Sequence, residues 1–302
     1  VGLENKFDRS VSLLAWGYNE EALLKDFLDR AFALLEANVH DYEVVFVNDG
    51  STDGTGRIAD KYARREPRLR VLHNERNLNV GLSCRRAVAA AQKEFLFWQT
   101  VDWSYDLTYL RTYLELLNYF DVVQGIRPTP ERILSHIPLI RSIYRVKSRS
   151  DNFKKALVSL SNYYLLRLFF GVNFHDFQNV TFYPTALVQS VNLEGKSSFV
   201  NPEMLLKTHA LGARFLEVPI PFIPRKTGEA KGTKLKAIAN SVRDLLTNWY
   251  RWGWRQRLAN SGVRRDTISR VHQPVYLEEE VLKLVIPLFK LFKPEKFGRI
   301  GY

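Results

Sequence analysis

An aspartate that closes an unbroken apolar run is a group with chemical prospects. YEVVFVND (42–49) is such a run, β-branched and nearly all apolar, and it leads through a tight turn into a helix start in VNDGSTDGT (47–55). In open parallel sheets, ligands bind beyond the carboxyl ends of the strands. Asp49 is therefore placed to accept a hydrogen bond from a base N–H or a ribose hydroxyl. Asp53 reads as the N-cap of the next helix, whose unpaired N–H groups suit an anion. EFLFWQTVD (94–102) repeats the pattern and ends in Asp102. Carboxylates at successive strand ends predict a nucleotide site beside them. Asp106 fits a helix cap. None of the 6 histidines has metal-ligand spacing, and His175 reads as polar surface.

Such a site needs a scaffold that aligns strand ends, and the first half of the chain supplies one. SVSLLAW (10–16), YEVVFVND, RVLHN (70–74), EFLFWQTVD and DVVQGIR (121–127) read as strands. Between them, residues 19–38, the stretch after Asp53 and residues 81–93 have helical spacing. This β-α-β-α order predicts an α/β fold with a mostly parallel central sheet and helices on both faces. After Arg127 the alternation stops and a basic, helical texture follows. RFLEVPIPF (214–222) reads as a strand whose prolines suggest a sheet edge. A long helix is expected from Lys234 to Leu258.

The formal net charge of +12 favours anionic partners. Helix-turn-helix, zinc and RNP signatures are missing, which argues against nucleic acid. A lone cysteine, Cys84, rules out an intrachain disulfide and suits a reducing compartment. No run reaches the length needed to span a bilayer. Basic and aromatic residues interleave in 139–170, in NWYRWGWRQR (248–257) and in VLKLVIPLFKLFKPEKF (281–297). Trp and Tyr favour the headgroup zone, and Lys and Arg favour anionic lipid. The expectation is a peripheral protein on the cytoplasmic face of a membrane, held there directly, through a membrane-protein partner or as a homo-oligomer.

Several blocks, in order over roughly residues 10–250, resemble family 2 glycosyltransferases, especially polyprenyl-phosphate sugar synthases of the dolichol-phosphate mannose synthase type. The blocks are YNE (18–20), VNDGSTDGT, Asn77 with Gly81, Gly125 with Arg127, and EVPIPFIPRKTGEAK (217–231). The resemblance implies a GT-A fold in residues 1–232 and a helical, membrane-associating region in 233–302. It implies that Tyr18, Glu20, Asp49, Asn77, Gly81 and Asp102 bind the nucleotide. Asp102, Arg225 and Lys231 would be catalytic, with Arg127, Arg225 and Lys231 holding an acceptor phosphate. The family's D-x-D becomes TVDWS (100–104), so Asp102 is the surviving carboxylate for Mg²⁺ or Mn²⁺, with Thr100 and Ser104 in the flanking places. Neutral hydroxyls are poorer ligands for a hard cation, and weak metal binding is expected. Glu203 falls near the sugar site, or caps its helix.

The implied reaction moves a sugar, with inversion, from a nucleoside-diphosphate sugar to a polyprenyl (dolichyl-type) phosphate. A glycan or other lipid acceptor is the near alternative and would need a general base. A non-catalytic nucleotide-sugar-binding protein is the reading that the altered D-x-D suggests.

Overall fold

A computed structural model describes residues 6–127, 163–223, 235–255 and 275–276. Arg225, Lys231, residues 139–162 and the 281–297 segment lie outside the described residues. The strands are β1 (Val11–Gly17), β2 (Tyr42–Asn48), β3 (Leu69–His73), β4 (Phe95–Trp98), β5 (Val122–Ile126), β6 (Thr181–Pro184), β7 (Phe215–Pro219) and β8 (Val275–Tyr276). They form one sheet in the order β3-β2-β1-β4-β6-β5-β7-β8. Among the described strands only β6 runs antiparallel to its neighbours, β4 and β5. The other pairs are parallel.

Every residue of β2 is buried, as its unbroken apolar sequence requires of a strand covered on both faces. The covering helices include α1 (Glu21–Asn38), α2 (Thr55–Ala63), α3 (Asn79–Ala90) and α4 (Leu110–Glu115), followed by α5 (Thr185–Gln189), α6 (Val200–Ala210) and α7 (Leu235–Asn248). On α1 the buried residues Leu24, Phe27, Leu28, Ala31, Phe32 and Leu35 recur at three and four, which makes one core-facing stripe.

Three expectations need correction. The fourth strand stops at Trp98, because Gln99 turns and its Nε2 donates to Tyr105 O at 2.9 Å, closing a loop around Asp102. The 215–219 strand is not the edge: β8 pairs with it at Leu216 and Glu217, and Pro219 sits at its last residue, past that pairing. The antiparallel β6 was not expected at all. Its aromatic residues tie the two halves of the sheet together, Phe182 lying 5.0 Å from Phe97 and 5.7 Å from Tyr113 between ring centroids.

Candidate active site

The carboxyl ends of β1, β2 and β4 meet along one rim. Asp49 N–H donates to Gly17 O at 2.8 Å, so β1 and β2 end together, whereas Gln99 N–H donates to Leu14 O at 3.0 Å, so the chain leaves β4 earlier, opposite Leu14. The side chains of Glu20 and Val101 close on Gly17, where an added Cβ would come within 2.8 Å of Glu20 Cγ. Tyr18 and Glu20 are half-buried at this rim. Between them Asn19 adopts φ 54°, and its side chain accepts the Thr52 N–H at 2.9 Å. The loop after β1 is thus laced to the loop after β2. Asp53 and Glu21 complete the lacing reciprocally: Asp53 Oδ2 accepts the Glu21 N–H, and Glu21 Oε2 accepts the Gly54 N–H. Burial works to raise the Asp53 pKa, but hydrogen bonds from Thr55 and Glu21 outweigh it and hold the carboxyl below its ordinary value.

Asp49 is 5% exposed. Its Oδ1 accepts from Asn74 Nδ2 at 2.7 Å and from the Leu78 N–H at 2.8 Å. Asn74 was not singled out from sequence. Its amide is oriented from both ends, since Arg86 donates to its Oδ1 while its Nδ2 also reaches Ser83 Oγ at 3.0 Å. A strand-terminal His-Asn pair is too common a pattern to have marked it. Gly50 (φ 68°) lets the 75–78 loop cross, for a Cβ there would lie 2.3 Å from the Arg76 carbonyl carbon. Asn77 is exposed, and its Oδ1 accepts the Asn79 N–H at 3.0 Å, shaping the start of α3. Gly81 sits where α3 touches the 195–196 backbone; a Cβ would be 2.4 Å from the Lys196 carbonyl carbon.

Asp102 lies in a tight loop. Ser104 Oγ donates to its Oδ1 at 2.7 Å, and Thr100 Oγ1 accepts the Ser104 N–H at 2.9 Å. Trp103 is forced to φ 55°, a costly conformation for a bulky residue. Its ring packs 5.8 Å from Phe27, with Arg30 above it at 4.3 Å. Among the described residues no group of three or more His, Cys, Asp or Glu could cage a metal. One carboxylate in the loop beyond a strand instead fits a hard cation that arrives with a diphosphate and takes its remaining oxygens from phosphate and water. Asp106 accepts the Thr108 N–H at 3.0 Å and shapes the turn before α4.

The Asp102 loop is bridged to a second cluster. Asp106 N–H donates to Pro221 O at 3.0 Å, and Ile223 N–H donates to Ser104 O at 2.8 Å. The Tyr105 hydroxyl donates to Gln178 O at 2.6 Å. Arg127, at the end of β5, makes a bidentate pair with Asp176, with Nε–Oδ2 and Nη2–Oδ1 both at 2.7 Å. Burial works against the guanidinium charge there, and Asp176 more than restores it, so the Arg127 pKa is raised. His175 is more than polar surface. Its Nδ1 meets Glu217 Oε2 at 2.5 Å, and its N–H donates to Glu217 Oε1 at 2.8 Å. Burial pushes the Glu217 carboxyl above its ordinary value despite these bonds.

Glu203 is fully buried. It accepts N–H bonds from Glu194 and Gly195 and pairs with Lys207 Nζ at 2.7 Å, clamping the 194–195 loop on α6. A separate groove of about 740 Å³ runs between α3 and α5, lined in part by Leu78, Leu82, Arg85 and Val188. It has no carboxylate and stands apart from the Asp102 loop.

Known proteins resemble this arrangement. Glycosyltransferase AglD of Haloferax volcanii is 26% identical over 265 residues, covering 85% of this chain and 39% of its own length. The chain thus spans about two fifths of that relative. Undecaprenyl-phosphate mannosyltransferase of Micrococcus luteus is 27% identical over 243 residues, covering 78% of this chain and 90% of its own. Mannosyltransferase PcManGT from Pyrobaculum calidifontis, solved with GDP-Man and Mn²⁺, superposes with a TM-score of 0.51 at 14% identity, covering 95% of this chain and 82% of that one. Glucosyl-3-phosphoglycerate synthase from Mycobacterium tuberculosis, solved with UDP, gives 0.53 at 15% identity, covering 80% of each chain. These superpositions establish a GT-A-like fold. The pattern of glycosyl transferase family 2 matches residues 17–177, more than half of the chain and a span that holds Asp49, Asp102 and Arg127, and the chain belongs to that family of glycosyltransferases.

Proposed function

We infer that this glycosyltransferase moves a sugar, with inversion, from a nucleoside-diphosphate sugar to a polyprenyl-type phosphate at a membrane surface. The observation that carries the reading is the bridge between the Asp102 loop and residues 221–223, which brings the segment leading to Arg225 against the candidate donor site. Asp49 would accept from the base, with Tyr18, Glu20, Asn77 and Gly81 forming the surrounding wall. Asp102 would hold Mg²⁺ or Mn²⁺ together with the diphosphate. That cation would neutralise charge building on the leaving group. A phosphate oxygen of the acceptor would attack the anomeric carbon while the bond from that carbon to the diphosphate breaks, the electron pair leaving with the nucleotide. The acceptor is already anionic, so no proton has to be removed.

Its charge must still be held near the donor. Arg225 and Lys231 are proposed for that task. Arg127 would join them through Nη1, since Asp176 occupies its Nε and Nη2. The relative from Micrococcus luteus, whose name specifies an undecaprenyl phosphate, supports this acceptor class. A hydroxyl acceptor would need a base, and the imidazole of His175, oriented by Glu217, favours keeping that second reading. Single-turnover transfer from radiolabelled nucleotide sugars decides between them. Label in the lipid phosphate is expected, with Asp102→Asn inactive. Label only in a hydroxyl-bearing acceptor would replace the first reading by the second.

A further inference from the structure

α7 is fastened to the domain by an unusually polar face. Asp244 Oδ2 accepts the N–H groups of Lys196 and Ser197 at 3.0 and 2.8 Å. Ser241 Oγ meets Ser198 Oγ at 2.7 Å. In the π-helical turn Trp249–Gly253 that follows, Trp249 Nε1 donates to Phe169 O and Trp252 Nε1 to Asn248 Oδ1, each at 3.0 Å. Gly253 admits Phe170, whose Cε1 would lie 2.4 Å from an added Cβ. The inward face is therefore hydrogen-bonded and packed against the domain.

An apolar stripe runs along the outward side. Val242, Leu246, Tyr250 and Trp254 are 38, 46, 76 and 39% exposed and recur every fourth residue. In a regular helix a four-residue step turns the stripe by about 40°. The wider π-helical turn slows that drift, which keeps Trp254 nearer to the line. Arg243 and Arg255 are exposed around the stripe, with the Arg255 guanidinium 5.4 Å from the Trp254 ring centroid, while the exposed Arg251 donates to Glu194 Oε1 at 3.1 Å. The acidic residue of this helical turn, Asp244, is turned inward.

We propose that this stripe lies in the headgroup zone of an anionic bilayer, with α7 and the turn after it along the surface and Arg243 and Arg255 on lipid phosphates. Tyr and Trp partition to that zone, and basic residues add attraction to an anionic leaflet. A two-fold contact with another copy would set the same arginines against one another. The inference deepens the membrane-surface reading above, naming the face that meets the lipid.

Cys84 is the only cysteine of the chain and is buried, so a cysteine introduced at Tyr250 can be labelled alone with an environment-sensitive fluorophore. Vesicles of phosphatidylcholine with phosphatidylglycerol should shift the emission of the Tyr250→Cys label to the blue. A label on Lys61→Cys, exposed on α2, should not respond. Leu246→Glu with Trp254→Glu should weaken vesicle binding at least about tenfold. The same double variant should leave transfer to a water-soluble, short-chain prenyl phosphate unchanged. Vesicle binding that leaves the Tyr250→Cys label dark would overturn the proposal, because another face would then be responsible. So would a label already shielded without lipid, whether independently of concentration (cover by the chain itself) or with it (a second copy). Failure of the parent protein to use the soluble phosphate would instead sink the acceptor reading, and the label would still report on the face.

Discussion

Asp49 carries two duties that a pair of substitutions separates. Asp49→Asn keeps an oxygen for Asn74 and Leu78 but loses the charge, so it should leave thermal stability nearly intact while weakening nucleotide binding by about 1–3 kcal/mol. Asp49→Ala should weaken binding and also cost stability, because buried N–H donors lose their acceptor. Calorimetry on both variants checks this, and equal affinities in parent and Asp49→Asn would remove Asp49 from the site. At Glu217 the prediction concerns pH. Burial raises its folded-state pKa, so its contribution to stability is complete below the unfolded carboxylate value of about 4.3 and is lost as the pH rises through the folded value. Glu217→Gln cannot ionise, and its stability relative to the parent should climb across that window in urea titrations. Asp49 and Asp102 were legible in the sequence because each ends an apolar run. The Arg127–Asp176 and His175–Glu217 pairings were not, since each joins residues more than forty positions apart and no local pattern encodes the partner.

The long elements were equally legible, because α1 and β2 carry enough periodic residues to declare themselves. β6 did not. Its four residues, Thr181–Pro184, are too short for a period and gain their strand character from Leu96, Val123 and Phe97 on either side. The end of β4 was misplaced for a related reason: QTV reads as strand, yet Gln99 spends its side chain on the turn. A close tolerance between elements lies where α3 meets the 195–196 backbone. A methyl group at Gly81 would meet backbone, which cannot rotate away as a side chain can. Gly81→Ala should therefore cost about 1–3 kcal/mol of stability. The displaced start of α3 should pull the Leu78 N–H from Asp49, so nucleotide affinity should fall as well. A normal melting temperature for Gly81→Ala would show that the loop yields, and that the contact does not position α3.

Across the whole molecule, the candidate donor site straddles separate strand ends, so a ligand held there braces the sheet as well as its own loops. Binding to the folded state alone raises stability by about 2.7 kcal/mol at a ligand concentration one hundred times Kd. The composition of the site determines how that gain should depend on metal. With Asp102 as the carboxylate in the proposed ion site and a background net charge of +12, the protein offers little to an isolated cation. A cation carried by a diphosphate is different, because the anion favours the basic protein and supplies the missing oxygens. Thermal unfolding should accordingly show almost no stabilisation by Mn²⁺ alone and a modest shift with a nucleoside diphosphate alone. Both together should give more than the sum. Asp102→Asn should abolish the excess and keep the nucleotide's own shift, whereas Asp49→Asn should reduce both. Stabilisation by Mn²⁺ without nucleotide would mean that the protein builds a complete metal site of its own, and the substrate-borne cation would have to be given up. An additive response that Asp102→Asn leaves unchanged would detach Asp102 from the metal altogether.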